Sequence, residues 1–228
     1  MRGVNMDIQH SLIEMIKHAD RRGATSLLKE WTSVNAMETL FTDLLEPVLL
    51  QIGEEWYAEG SVSIAQSYVA AKIAEDAFAM IAAGTPRGSD SEAKKGPVII
   101  GNIEDDFHSL GRRMIVTFLK ADGWIVHDLG NDVPPKVFVD KAEEVGARVI
   151  GASAMTRTTA HKILGLRDEI DRRGLKDRIK LAVGGAAFLA CSDLVQEVRA
   201  DGTASNAVSA VKLFAKLFTQ SEALEGPR

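Results

Sequence analysis

The densest concentration of side chains able to do chemistry lies in residues 101–111, Gly-Asn-Ile-Glu-Asp-Asp-Phe-His-Ser-Leu-Gly, where Glu104, Asp105, Asp106 and His108 fall together. Three carboxylates and an imidazole in so short a stretch suit a metal site or an acid/base site. They equally suit a solvated helix start, because the positive end of the helix dipole favours acidic residues. The spacing of Asp106 and His108 adds a specific capability. A carboxylate that accepts Nδ1–H holds the imidazole as the tautomer whose Nε2 is free to ligate a metal. The remaining histidines, His10, His18, His127 and His161, are isolated and read as surface or helix-packing residues. The single cysteine, Cys191, has no basic neighbour in sequence and excludes both an internal disulfide and a Cys-based zinc cage.

The element that positions the acidic cluster is a β-branched run at 97–102. Similar runs occupy 124–128, 148–153 and 179–184, with a fifth, weaker one at 197–200. Helical patterns at 110–121, 135–145, 158–173, 188–195 and 204–218 lie between and after them. Such alternation predicts a five-stranded parallel sheet covered on both faces, a Rossmann/flavodoxin-like α/β fold. In sheets of that kind ligands bind beyond the carboxyl ends of the strands, so the loops after the strands should carry function. The third strand leads into Ser153, Ala154, Met155, Thr156, Arg157, Thr158 and Thr159, hydroxyls that could hold a ligand or cap the next helix. The fourth leads into Gly184 and Gly185, which admit close approach to the backbone, and the fifth into Asp201 and Gly202. A phosphoacceptor receiver domain would need an aspartate at the end of the third strand, where this chain has Ser153.

Residues 1–83 read as an all-α four-helix bundle. Met37, Leu40, Phe41, Leu44, Leu45, Val48, Leu49 and Ile52 recur at helical spacing, with Pro47 expected to kink the pattern. Residues 84–96, rich in Gly, Ser and charge, read as a linker between that bundle and an α/β domain over 97–228. Hydrophobic residues make up 46% of the 228 and charged residues 26%, which excludes disorder of the whole chain. The 27 Lys+Arg stand against 32 Asp+Glu with no long basic cluster, so a nucleic-acid partner is not expected. The apolar runs fall short of the ~20 residues that span a bilayer, and Asp7, His10, Glu14, Lys17 and His18 break up any N-terminal signal. A cytoplasmic protein without a membrane partner is the expectation.

With its loops in place the sequence resembles the cobalamin-binding domain family, whose mark is Asp-x-His-x-x-Gly. It stands here as Asp106-Phe107-His108-Ser109-Leu110-Gly111, preceded by Gly101 and Glu104. Asp128-Leu129-Gly130 with Val133-Pro134-Pro135, then Ser153-Ala154-Met155, Gly184-Gly185 and Asp201-Gly202, extend the resemblance over about 97–218. It implies a cobalt corrinoid, cobalamin, bound with its dimethylbenzimidazole detached and His108 as the lower axial, metal-ligating residue. Asp106 would hydrogen-bond His108, with Thr159 as the third member of that relay. Ser153 would bond the buried base, and Gly184, Gly185, Asp201 and Gly202 would line the slot for the nucleotide tail. Ser109, Leu110, Gly111 and Met155 belong to the same cofactor-binding loops, and Arg157 replaces a small hydroxyl residue of the best-known members. The helical region resembles the cap bundle of corrinoid methyltransferases through Gly53-Glu54-Glu55-Trp56 and the segment 60–66. Trp56 and Ile64 would then cover the upper cobalt face, or else serve as bundle core.

Two function classes share this architecture. A corrinoid carrier shuttles a methyl group on cobalt between methyltransferase partner proteins and has no catalytic residues of its own. A sensor of light or cobalamin passes a change of upper ligand to an output partner. Cobalamin photosensors carry Trp, nine residues, then Glu-His in this bundle. Counting from Trp56 gives Gln66-Ser67, and aligning on Ser63-Ile64-Ala65 gives Ser67-Tyr68. A bundle that begins within the first ten residues also leaves no DNA-binding segment. Both points favour the carrier. An isomerase would need a large substrate barrel and could only use this chain as a small subunit. The bundle could also pair with a second copy as a homodimer.

Overall fold

The computed structural model describes residues 2–35, 39–59, 63–84 and 95–225, with some helical side chains, those of Trp56 and Ile64 among them, outside the description. The chain divides into two compact units, Met1–Pro86 and Arg87–Arg228.

In the first unit α1 (Arg2–Lys17) and α2 (Arg21–Val34) meet at a tight turn. The Asp20 side chain ends that turn by accepting the Gly23 N–H at 2.8 Å, satisfying a donor that the new helix leaves free. Leu12 and Ile16 of α1, Leu28 and Trp31 of α2, and Ile73, Ala74 and Ala77 of α4 (Ile64–Gly84) are buried at three- and four-residue spacing. Arg21 reaches across to Asp76 through two bonds of 2.8 and 2.7 Å. The stripe expected as one helix interrupted at Pro47 runs without a break from a π-helical stretch Leu40–Leu45 into α3 (Glu46–Glu59). Pro47 has no N–H to give to that run, the wider π-helical turn lies directly before it, and Leu40, Leu44, Leu45, Val48 and Ile52 stay buried through the junction.

The second unit is a five-stranded, all-parallel sheet in the order β2-β1-β3-β4-β5. Its strands are β1 (Lys95–Asn102), β2 (Trp124–Asp128), β3 (Val149–Ser153), β4 (Lys180–Gly184) and β5 (Gly202–Thr203). Helices α5 (Ser109–Ala121), α6 (Pro135–Val145), α7 (Arg157–Arg172), α8 (Ala186–Ala190), α9 (Leu194–Glu197) and α10 (Ala207–Glu225) connect and cover them. Two separate cores form, one beneath α6 and α7 around Phe138, Ile150, Ile163 and Leu181, the other beneath α5 and α10 around Val98, Leu119, Val149 and Phe214. Glycines in the central strands admit the large rings. A Cβ on Gly101 would lie 2.7 Å from Phe138, and one on Gly151 would lie 2.7 Å from Phe214. The order reverses between β1 and β3, and the crevice at such a reversal is where a doubly wound sheet takes its ligand.

One sequence expectation is overturned. No strand covers 197–200, and the fifth strand is the two-residue β5 that follows. Leu194 and Val198 are buried four residues apart, a helical rather than alternating spacing, so the segment packs as α9 and its C-terminal turn. The expected helix at 188–195 is accordingly split into α8 and α9. Among the described residues no helix is long and apolar enough to cross a membrane.

Two stability predictions follow from this packing. Gly151→Val should cost about 1–3 kcal/mol in a urea titration, because the added methyls overlap the Phe214 ring. Glu169 is held down to about 2 by hydrogen bonds from Arg172 and Arg173. Its folded-state value lies below the ordinary 4.5, so its contribution is present above that pH and is lost as pH falls toward about 2. Glu169→Gln should therefore flatten the fall of the urea midpoint across that window while leaving the neutral-pH slope unchanged.

Candidate functional site

The loop after β1 turns through Asp105, whose backbone is left-handed at φ 64°, a conformation that aspartate tolerates better than most residues. The turn is held by the Asp105 N–H, which donates to Asp132 Oδ1 at 2.8 Å. It sends the three acids in different directions. Lys162 of α7 pairs with Asp105 and stands 3.9 Å from Glu104, whereas the Asp106 side chain is fully buried. Among the described residues no group of three or more His, Cys, Asp or Glu side chains converges to hold a metal ion. The cluster is therefore not an all-protein metal cage.

Asp106 organises what remains. Its Oδ1 accepts from Asn102 Nδ2 at 3.0 Å and from the His108 backbone N–H at 2.9 Å, and lies 3.2 Å from His108 Nδ1. Its Oδ2 accepts the Met155 backbone N–H and lies 3.3 Å from Thr159 Oγ1. Burial pushes this carboxyl up, but the backbone donors of His108 and Met155, then the Asn102 amide and the His108 ring, outweigh it and hold the group below its ordinary value. An ionised carboxylate can only accept, so Nδ1 of His108 must be the donor, and in the neutral ring Nε2 carries the lone pair. The imidazole is 62% exposed, standing at the rim of the switch point between β1 and β3.

Thr159 does two jobs. With Thr156 it forms the capping box of α7, Thr156 Oγ1 accepting the Thr159 N–H and Thr159 Oγ1 accepting the Thr156 N–H, both at 3.2 Å. The same hydroxyl faces Asp106. Beside it, Ser153 ends β3 half-buried, its hydroxyl without a hydrogen-bond partner among the described residues. Gly185 adopts φ 102°, and a Cβ there would lie 2.3 Å from the Ala154 carbonyl oxygen, so only glycine lets β4 turn into α8 beside the β3 loop. Gly184 and Gly111 have nothing within 4 Å of the space a Cβ would take. Ser109 and Leu110 are half-buried in the first turn of α5. Met155 exposes its side chain at this rim together with Phe107, while Leu189 is exposed on α8, beyond β4.

Three other expected site residues, Asp201, Gly202 and Arg157, make contacts within the α/β unit. Asp201 and Gly202 stand at the start of β5 rather than beyond its end. The Asp201 carboxylate accepts the Leu181 N–H at 2.7 Å and Arg167 at 3.3 Å, and the space beside Gly202 is taken by Leu213. Arg157 turns its guanidinium to Glu197, at 3.2 and 3.4 Å, and Glu197 also meets His161 Nε2 at 2.9 Å. The side chains of Trp56 and Ile64 lie outside the described residues.

Residues that the motif does not contain complete the arrangement. Asn102 is fully buried, and Arg112 of α5 is buried at 6% exposure. A signal for Arg112 exists in the sequence, since Arg112, Val116 and Leu119 fall at i, i+4 and i+7 and put a charge on the core stripe of its helix.

A family model described as the B12 binding domain matches residues 96–212. Dimethylamine corrinoid protein 3 of Methanosarcina mazei is 40% identical over 129 residues, 55% of this chain and 74% of that protein. The dimethylamine corrinoid protein of Methanosarcina barkeri is 38% identical over 126 residues, 55% of this chain and 58% of that one. Among solved structures, the Methanosarcina barkeri monomethylamine corrinoid protein superposes with a TM-score of 0.80 at 25% identity, over 93% of this chain and 99% of that chain. The fold is thus shared with that corrinoid protein along nearly its whole length. With more than half of its residues matched, and with the sheet order and the Asp106–His108 pair in place, this chain belongs to the B12-binding domain family.

Proposed function

We propose that the chain is a corrinoid carrier, holding cobalamin with His108 on cobalt and presenting it to methyltransferase partners that load and unload a methyl group. The observation that carries this reading is the exposed imidazole whose Nδ1 is committed to a buried, ionised Asp106, leaving Nε2 outward as a metal ligand.

The surroundings of His108 fit a corrinoid. A broad macrocycle needs a face free of protruding side chains beside the axial ligand. Gly111 and Gly184 leave such space, and the exposed Phe107 and Met155 supply apolar contact. The uncommitted Ser153 hydroxyl is available to the detached base, and Gly184 and Gly185 admit the nucleotide tail close to the backbone. Asp201 and Gly202, held within the sheet, are set apart from that contact set.

When bound, cobalamin would be held through His108 and would supply a cobalt centre able to take up and give up a methyl group. The chain's own residues do the rest. Asp106 accepts the Nδ1–H, which fixes the ring tautomer and makes Nε2 a stronger donor. The bonds from Met155 and Thr159 keep Asp106 from swinging away. Substrate activation belongs to the partners, and the relatives' names support a small methylated amine as the methyl source.

Absorbance spectra after incubation with hydroxocobalamin and desalting provide the test. Wild type should keep about one corrin per chain, and His108→Ala should retain it on the order of 10- to 100-fold more weakly with a shifted spectrum. Wild type that keeps no corrin would sink the reading. Carrier action is checked by loading a radiolabelled methyl group and asking whether it leaves only when a methyltransferase is added.

A further inference from the structure

Arg112 has all three of its guanidinium nitrogens engaged in a buried setting. Its Nε donates to Asn102 Oδ1 at 2.9 Å, one terminal nitrogen pairs with Asp128, and the other donates to Asn131 Oδ1 at 3.3 Å. A guanidinium has no acceptor, so each asparagine must turn its oxygen toward Arg112 and its Nδ2 away. Both Nδ2 groups then point into the loop that ends in His108. Asn102 Nδ2 donates to Asp106 Oδ1 and to the His108 carbonyl, each at 3.0 Å, and Asn131 Nδ2 donates to the Phe107 carbonyl at 3.3 Å.

We infer that Arg112 is a positioning residue for His108, acting through the amide orientations of Asn102 and Asn131, which hold the His108 loop from two sides. The motif pair Asp106 and His108 is thereby extended inward. Asp128 balances the charge of Arg112, Arg112 sets the amides, and the amides set the acceptor and the two carbonyls between which the imidazole is mounted. Lysine could balance Asp128 but could not direct two amides at once, because its ammonium is a single point of charge on a flexible stem. The inference rests on His108 being the cobalt ligand.

The test uses the full chain, with Arg112→Lys and Asn131→Ala beside wild type, and circular dichroism as the check of folding. In cofactor-free protein, ring 15N shifts report the His108 tautomer. After loading with cobalamin reduced to Co(II), electron paramagnetic resonance reports nitrogen coupling from the axial imidazole. Arg112→Lys should show a mixed tautomer, a reduced nitrogen-coupled fraction and corrin retention weakened about 10-fold. Asn131 is exposed, so Asn131→Ala keeps the fold and should move both signals in the same direction by less. A merely structural Arg112 would lower the melting temperature and leave tautomer and coupling at wild-type values in both proteins, and that result would overturn the inference. If Arg112→Lys does not fold, the Asn131→Ala signals decide by the same criterion. Nitrogen coupling missing already in wild type would instead remove the assignment of His108 to cobalt, while the tautomer comparison would still judge Arg112.

Discussion

A carboxylate taken fully out of water must be surrounded by donors, and the rest of the α/β unit is arranged so that Asp106 is. Stripping such donors from a buried charge costs about 3–5 kcal/mol, so the fold is constrained to keep them in place. They come from β1 through Asn102, from the loop itself through the His108 backbone, and from the far side of the switch point through Met155 and Thr159. The bond network that keeps the charge buried also splices the β1 loop to the β3 loop. Among the described residues the side-chain donor to Asp106 that faces solvent is the His108 ring, so a stabilising constraint leaves an imidazole exposed.

The position of that carboxylate depends on glycine in the two central strands. Gly101 and Gly151 lie in adjacent strands and let Phe138 and Phe214 close on the sheet, which seals one core beneath α6 and another beneath α10. At the carboxyl ends the residues become small or polar, Ser153, Gly184 and Gly185, and a broad ligand can lie against backbone. At the opposite ends of the strands, Asp201 and Arg167 use their charges to tie the β5 entry to β4 and α7. The proposed ligand rim and these charge pairs thus lie toward opposite ends of one sheet.

The acidic run shows how neighbours in sequence are separated by a single turn. Asp105 in its left-handed conformation directs itself toward Lys162 and lets Asp106 face inward. A metal cage of adjacent acids is excluded by this geometry among the described residues. What the turn leaves exposed is a lone imidazole with its Nδ1 beside a buried carboxylate.

Local pattern alone was enough for much of this protein. Strong periodicity located β2 at 124–128 and α6 at 135–145, and the alternation of strands with helices specified a parallel sheet. The Asp106–His108 spacing allowed a carboxylate–imidazole pair, and the turn at Asp105 brought the two within 3.2 Å. Tertiary structure alone decided β5, whose two residues are too few to carry a period and exist as a strand only by pairing with Ala182 and Val183. It alone showed that the Asp201 carboxylate accepts from Leu181 and Arg167 and that Leu213 fills the space beside Gly202. It alone assembled Arg112 with Asn102, Asp128 and Asn131, residues from one helix and the ends of two strands. Hydrogen-bond direction among distant side chains depends on which donor faces which acceptor, and that is settled only when the sheet has closed.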